Sequence, residues 1–234
     1  KNFYSPSNAV LVVAGNIDLN KTKKLISKYF SFIPYREVKR SYYQSEPKKI
    51  EKVELKIQKD VPSKCIALAF HMGPRLNKNF YASKLISLIL SSGVSSRLYN
   101  NLVKKEKVFS KIQTYLGEDF DSSLFYIKGF LNDNIDYLKA EESVFNELNL
   151  LQSKLITEQE LIKVKNKNET SLHFSLLNNS YKAVDLAIGS ILNNPNLIND
   201  DFSKYKSVSV DDIQAESKKI FHPTNCTSLY YGKM

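Results

Sequence analysis

Two segments at opposite ends of the chain limit what it can fold into. The first, YSPSNAVLVVAGN, places Tyr4, Pro6 and Asn8 before a hydrophobic run, and the second, FHPTNCTSLYYG, places Phe221, Pro223 and Asn225 before another, 217 residues later. The second copy follows a helical pattern, SVDDIQAESKKIF, which its proline cannot extend. Its asparagine is suited to bond locally before the chain enters a strand. By the same logic NAVLVVAG predicts a buried strand, and IDLNKTKKLISKYFSFIP predicts a helix capped by Asp18 and ended before Pro34. One strand and one helix cannot cover each other's apolar faces, so residues 1–34 are not a domain alone. The expectation is two similar domains in tandem: 1–34 is the C-terminal edge of the first, 35–51 a basic linker, and 52–234 the second.

The pattern after residue 52 is that of a complete unit. KVELKIQ alternates Val53, Leu55 and Ile57 with polar residues, the period of a half-buried strand, and KCIALAFHM predicts a more central one. An apolar helix over Phe80–Leu90, closed by Gly93, leads to a short helix in SSRLYNNLVKKE with Ser95 and Ser96 as candidate caps. Two strands, VFSKIQTYLG and SSLFYIKGFL, turn at EDFD. Helices follow in NIDYLKAEESVFNELNLLQ, in TEQELIKVKNKNETSLHFSLL with a Thr157/Glu160 capping box, in NSYKAVDLAIGSILNN, and in SVDDIQAESKKIF with Ser209 as cap. The intervening NPNLINDDFSKYKS is read as mobile, and CTSLYYG as the last strand.

Charge does not point to nucleic acid. The net charge is +10, but residues 1–64 hold 14 Lys/Arg against 6 Asp/Glu while the other 170 hold 20 against 18. The excess is concentrated in REVKRSYYQSEPKKIEK, read first as a solvated connection. A phosphate-binding strip with Tyr42 and Tyr43 interleaved, or a surface for an acidic partner, are the alternatives. No run approaches the roughly 18 apolar residues of a membrane span.

Chemistry is as sparse. His71, His173 and His222 share no metal-ligand spacing, and Cys65 and Cys226 lie in strand-like sequence as buried free thiols. Neither a G-x-S-x-G elbow nor a phosphate-binding loop is present. The serines of SSGVSSRLY read as caps, and the pairs Glu141–Glu142 and Asp211–Asp212 as helix residues facing solvent or a helix dipole. The site residues expected of this chain are therefore none: catalytic none, cofactor none, metal none.

The arrangement resembles a known family. FYSPSNAVLVVAGNIDLNKTKKLISKYFSFIP is similar to the end of the first domain of the insulinase/pitrilysin-type zinc peptidases, peptidase family M16, which includes the mitochondrial processing peptidase and the core proteins of the respiratory bc1 complex. DVPSKCIALAFHMGP and ILSSGVSSRLYNNLVKKEKVFSKIQTY resemble the start of its second domain. TEQELIKVKNK and VSVDDIQAESKKIFHPTN resemble its later helices and close. The compact length resembles the bacterial branch.

That resemblance implies an α+β fold, a two-layer sandwich with an antiparallel-rich sheet covered by helices on one side. It implies a zinc site of the His-x-x-Glu-His type in the earlier part of the first domain, outside this chain, so the fragment is expected to hold no zinc and cleave nothing alone. Its role would be to wall a substrate chamber and form an intersubunit surface. The implied partners are its own N-terminal M16 domain, further M16 subunits in a homo- or hetero-oligomer, and peptide substrate, without nucleic acid. Some members place an Arg and a Tyr seven residues apart to hold substrate backbone. Here Val103 and Ser110 occupy those positions and can do neither job, while Arg97 matches an element expected to orient its helix. The parent is then either the zinc-bearing endopeptidase, the leading reading on family frequency, or a non-catalytic homologue acting as scaffold. The compartment, bacterial cytoplasm or periplasm, stays open.

Overall fold

The computed structural model of the chain describes residues 3–38, 44 and 46–233, so part of the expected linker, Tyr42 and Tyr43 included, lies outside the described residues. The chain forms two compact units: Lys1–Gln44 with Glu169–Ser203, and Ser45–Asn168 with Lys204–Met234. Among the described residues no helix is long and apolar enough to cross a membrane.

The larger unit is built on five strands: β1 (Val53–Gln58), β2 (Cys65–Met72), β3 (Phe109–Leu116), β4 (Ser123–Leu131) and β5 (Cys226–Gly232). Their order across the sheet is β1-β5-β2-β4-β3, and only the β1–β5 pair is parallel. The mixed α+β architecture is the expected one. KCIALAFHM is central because it alternates Ile66, Leu68 and Phe70, all buried, with smaller, half-buried residues. The alternating KVELKIQ becomes an edge strand instead, with Val53 and Leu55 exposed. Its polar residues suit an edge that has one ladder neighbour.

Three helices cover one face: α2 (Phe80–Ser91), α3 (Tyr137–Ser153) and α7 (Val210–Ile220). Phe70 and Phe125 meet Phe221 edge-to-face at centroid distances of 5.2 and 5.1 Å, and Phe70 meets Phe145 of α3 at 6.1 Å. Each such ring removed from water contributes roughly 1.5–3 kcal/mol. Gly129 in β4 lets the Phe109 ring lie against the backbone, since a Cβ there would come within 2.6 Å of it.

The smaller unit contains α1 (Leu19–Phe30), capped by Asp18 accepting from the Lys21 N–H at 2.7 Å, and α5 (Asn179–Ile191). The strand expected in NAVLVVAG does not form. Ala9 is extended at φ −131° and ψ 144°, but no ladder pairs this run among the described residues, and Val10, Leu11 and Val13 stay exposed. A strand needs a hydrogen-bonded neighbour, and hydrophobicity alone does not supply one.

Both copies of the terminal echo fold alike. Each forms a single 3-10 turn, Pro6–Asn8 and Pro223–Asn225, closed by N–H donation from the asparagine to the residue three back, at 2.9 Å in both. Each asparagine side chain also donates to the carbonyl five residues back: Asn8 to Phe3 at 3.0 Å, Asn225 to Ile220 at 2.8 Å.

Four local expectations are corrected. NPNLINDDFSKYKS is not irregular but holds α6 (Leu197–Ser207), whose Asp200 near its start and Lys204 and Lys206 near its end complement the helix dipole. The short helix after Gly93 is π-helical over Tyr99–Lys105, and Ser96 Oγ donates to the Gly93 carbonyl at 2.6 Å rather than capping an N–H. In α4 (Glu158–Ser175) Thr157 Oγ1 does accept from the Glu160 N–H, at 3.1 Å. The Glu160 carboxylate, however, is engaged by Arg97, so half of the capping box is missing. Glu141 is buried, as described below. The Ser209 cap of α7 is a full capping box with Asp212.

Candidate functional site

The sheet's second face, opposite the one that α2, α3 and α7 cover, has a composition unlike that of an ordinary solvated surface. Because side chains alternate along every strand, the register determines which residues share this face. One cross-strand row runs Lys111, Phe130, Cys65, Tyr231, Ile57. The next runs Gln113, Lys128, Ala67, Leu229, Leu55, and a third Tyr115, Tyr126, Ala69, Thr227, Val53. The central strand thus contributes only small side chains, Cys65, Ala67 and Ala69, between larger ones on β4 and β5. The two flanking strands lie about 9–10 Å apart, twice the inter-strand spacing. The result is a shallow groove along β2, walled by Phe130, Lys128 and Tyr126 on one side and by Tyr231, Leu229 and Thr227 on the other.

At one end it opens into a cleft of about 380 Å³ lined by Val61, Pro62, Ser63, Cys65, Lys128, Phe130 and Tyr231. Tyr115 and Tyr126 stack at 4.8 Å near the other, where burial raises the Tyr126 phenol above its usual range. Burial likewise raises the Cys65 thiol, which favours an inert neutral sulfur over a thiolate. The charged members of these three rows are Lys111 and Lys128, both exposed, and no carboxylate is among them.

The alternation of large and small residues in CIALAF was legible in the sequence. The rows were not, since they require the pairing partners. The other missed feature lies on the helix side. Glu141 of α3 is only 6% exposed. It accepts from Lys52 at 2.6 Å, from Tyr230 at 3.0 Å and from Ser228. Glu141 was expected to face solvent or a helix dipole; instead the α3 surface turns it toward β5, and only its neighbour Glu142 is exposed. Burial acts to lower the Lys52 ammonium, but its hydrogen bonds to Glu141 and Glu54 outweigh this and hold it above its ordinary value. Burial first, then the Glu141 carboxylate, raises the Tyr230 phenol. Cys226, beside Ser228, is pushed up to about 11 by burial. This cluster ties β1, β5 and α3 together. Its base, acid and phenol are all engaged with one another, a structural arrangement.

The positions singled out by sequence are scattered. Val103 is half-buried, and Ser110 sits at a bulge in β3 and donates to the Phe130 carbonyl at 3.2 Å. Arg97 donates twice to Glu160, at 2.9 and 2.8 Å, and so anchors its helix to α4. Arg97→Lys keeps the charge but loses the bidentate fork, and is expected to cost about 1 kcal/mol in a urea unfolding titration. His71 Nε2 lies 3.5 Å from Glu46, His173 Nε2 3.8 Å from Glu169, and His222 Nδ1 2.8 Å from Thr224 Oγ1. Among the described residues no group of three or more His, Cys, Asp or Glu is placed to hold a metal ion. Cys65 and Cys226 are free and buried.

Residues 1–168 match the family model described as the peptidase M16 inactive domain. The zinc protease PqqE of Helicobacter pylori (strain ATCC 700392 / 26695) is 24% identical over 231 residues, covering 97% of this chain and 52% of that protein. An uncharacterized zinc protease of Rickettsia felis is 26% identical over 233 residues, covering 97% and 54%. The chain spans about half the length of these relatives. Of solved structures, a protease from Helicobacter pylori superposes with a TM-score of 0.93 at 24% identity, over 98% of this chain and 56% of that one. The peptidase M16 inactive domain from Pseudomonas fluorescens does so at 0.79 and 16% identity, over 94% and 52%. These structural likenesses speak for the fold.

Proposed function

The chain belongs to the family of the peptidase M16 inactive domain, and from that premise we propose that it is the non-catalytic half of a zinc peptidase, walling the space in which peptide is held. The observation that carries this reading is the sheet face opposite α2, α3 and α7. A sheet presenting the half-buried Leu229, Tyr231, Tyr126 and Phe130 on one side offers apolar contact without sequence-specific hydrogen bonds, as an unfolded substrate requires. In this reading residues 1–34 complete a first domain, 35–51 connect, and 52–234 form the second. Zinc is held upstream by an inverted His-x-x-Glu-His motif, where it supplies a polarised water for peptide hydrolysis.

The test is photo-crosslinking in the full-length protein. Benzoylphenylalanine at Leu229 is expected to capture bound peptide, and the same group at Lys218, exposed on α7, is not. Equal capture at both, or capture at Lys218 alone, would overturn the assignment of faces.

A second reading, a scaffold homologue without hydrolysis, is favoured by one observation. Val103 and Ser110 stand where some relatives have a substrate-holding Arg and Tyr, and Ser110 Oγ is engaged by its own sheet. The sequence of the full-length protein decides: a His-x-x-Glu-His motif in it selects the peptidase, and its absence selects the scaffold.

A further inference from the structure

We propose that the groove along β2 selects extended peptide segments in which aromatic or aliphatic residues alternate with acidic ones. This rests on the wall reading and adds a substrate class to it. The floor of Cys65, Ala67 and Ala69 is low between the side chains of β4 and β5, whose backbones lie about 9–10 Å apart, so that one extended chain can be laid along β2. A strand laid in it points alternate side chains down and out. The downward positions meet Phe130, Tyr231, Leu229 and the 380 Å³ cleft, all of which favour apolar groups. The charged residues within the three rows have one sign. Lys128 stands in its wall and at the cleft, Lys111 is one strand further out beside Phe130, and neither is in an ion pair among the described residues. Among the described residues carboxylates stand only at the ends: the Asp119 charge is felt by Tyr126, Glu46 lies beside His71, and Asp60 is paired with Lys233 at 2.7 Å. A basic peptide would therefore meet like charge, and an acidic one would find two partners.

Three fluorescein-labelled decapeptides test this by anisotropy against the full-length protein at about 0.1 M salt: alternating Phe–Glu, alternating Phe–Lys, and alternating Ser–Glu. The Phe–Glu peptide is expected to bind about tenfold more tightly than either other, and the double variant Lys111→Glu/Lys128→Glu to reverse the order of the two Phe peptides. Both lysines are exposed, so this variant folds. Ala67→Leu, which raises the groove floor, is expected to weaken both Phe peptides about threefold or more. Equal binding of Phe–Glu and Phe–Lys with retained sensitivity to Ala67→Leu overturns the acidic preference while leaving the wall reading intact. Binding insensitive to all three substitutions overturns the groove, and if benzoylphenylalanine at Leu229 also captures nothing, the wall reading falls with it.

Discussion

Phe221→Ala is expected to lower the unfolding free energy by about 3–5 kcal/mol, whereas Tyr4→Ala, at the equivalent position of the first motif copy, changes it by less than about 0.5 kcal/mol. Phe221 is 1% exposed and closes the contact between β2 and β4 through Phe70 and Phe125; Tyr4 is 91% exposed. Truncating the former removes a buried ring and leaves a cavity that rigid β-sheet neighbours cannot collapse into. Truncating the latter removes a side chain already in water. Urea titrations followed by far-ultraviolet circular dichroism read both. A Phe221→Ala loss below 1 kcal/mol would show that the aromatic cluster is not the keystone of the larger unit.

The second large effect is expected at Glu141. Glu141→Ala leaves Lys52, Ser228 and Tyr230 without their shared acceptor, and Ser228 and Tyr230 are buried. Unsatisfied buried donors and a broken ion pair together cost about 3 kcal/mol, at the low end of buried-pair losses because Lys52 is partly solvated and keeps Glu54 at 2.8 Å. Glu142→Ala, one residue on and exposed, is the matched control and is expected to change stability by less than about 0.5 kcal/mol.

The same network predicts an alkaline transition. Lys52 and Tyr230 both have folded values raised above their ordinary 10.5 and 10.0. Their contribution is therefore complete below about pH 10 and is lost as pH climbs through the folded values. Cys226 adds to this loss between its ordinary 9.0 and about 11. Wild type is expected to lose stability steeply above pH 10. Glu141→Ala, less stable at pH 7, is expected to follow a shallower alkaline limb, and parallel limbs would refute the coupling.

The caps at Asp18 and Ser209 and the central rank of KCIALAFHM were legible because each depends on residues within a few positions of one another. The helix in NPNLINDDFSKYKS was missed because its polar composition masks an ordinary dipole-matched helix. Glu141 was misplaced because its partners, Lys52 and Tyr230, are 89 residues away on either side.

The two motif copies mark where sequence stops and tertiary structure takes over. The local sequence determined the turn itself: proline sets φ, asparagine reaches back five residues, and both copies close with the same hydrogen bonds. Only the tertiary structure decided that CTSLYYG joins a ladder between β1 and β2 while NAVLVVAG joins none, and that Phe221 is core while Tyr4 is surface. It likewise decided that three separate strands bring large side chains around the small floor of β2. Turns are written in neighbouring residues, whereas ladders, buried acids and grooves depend on which distant segments are present to pair.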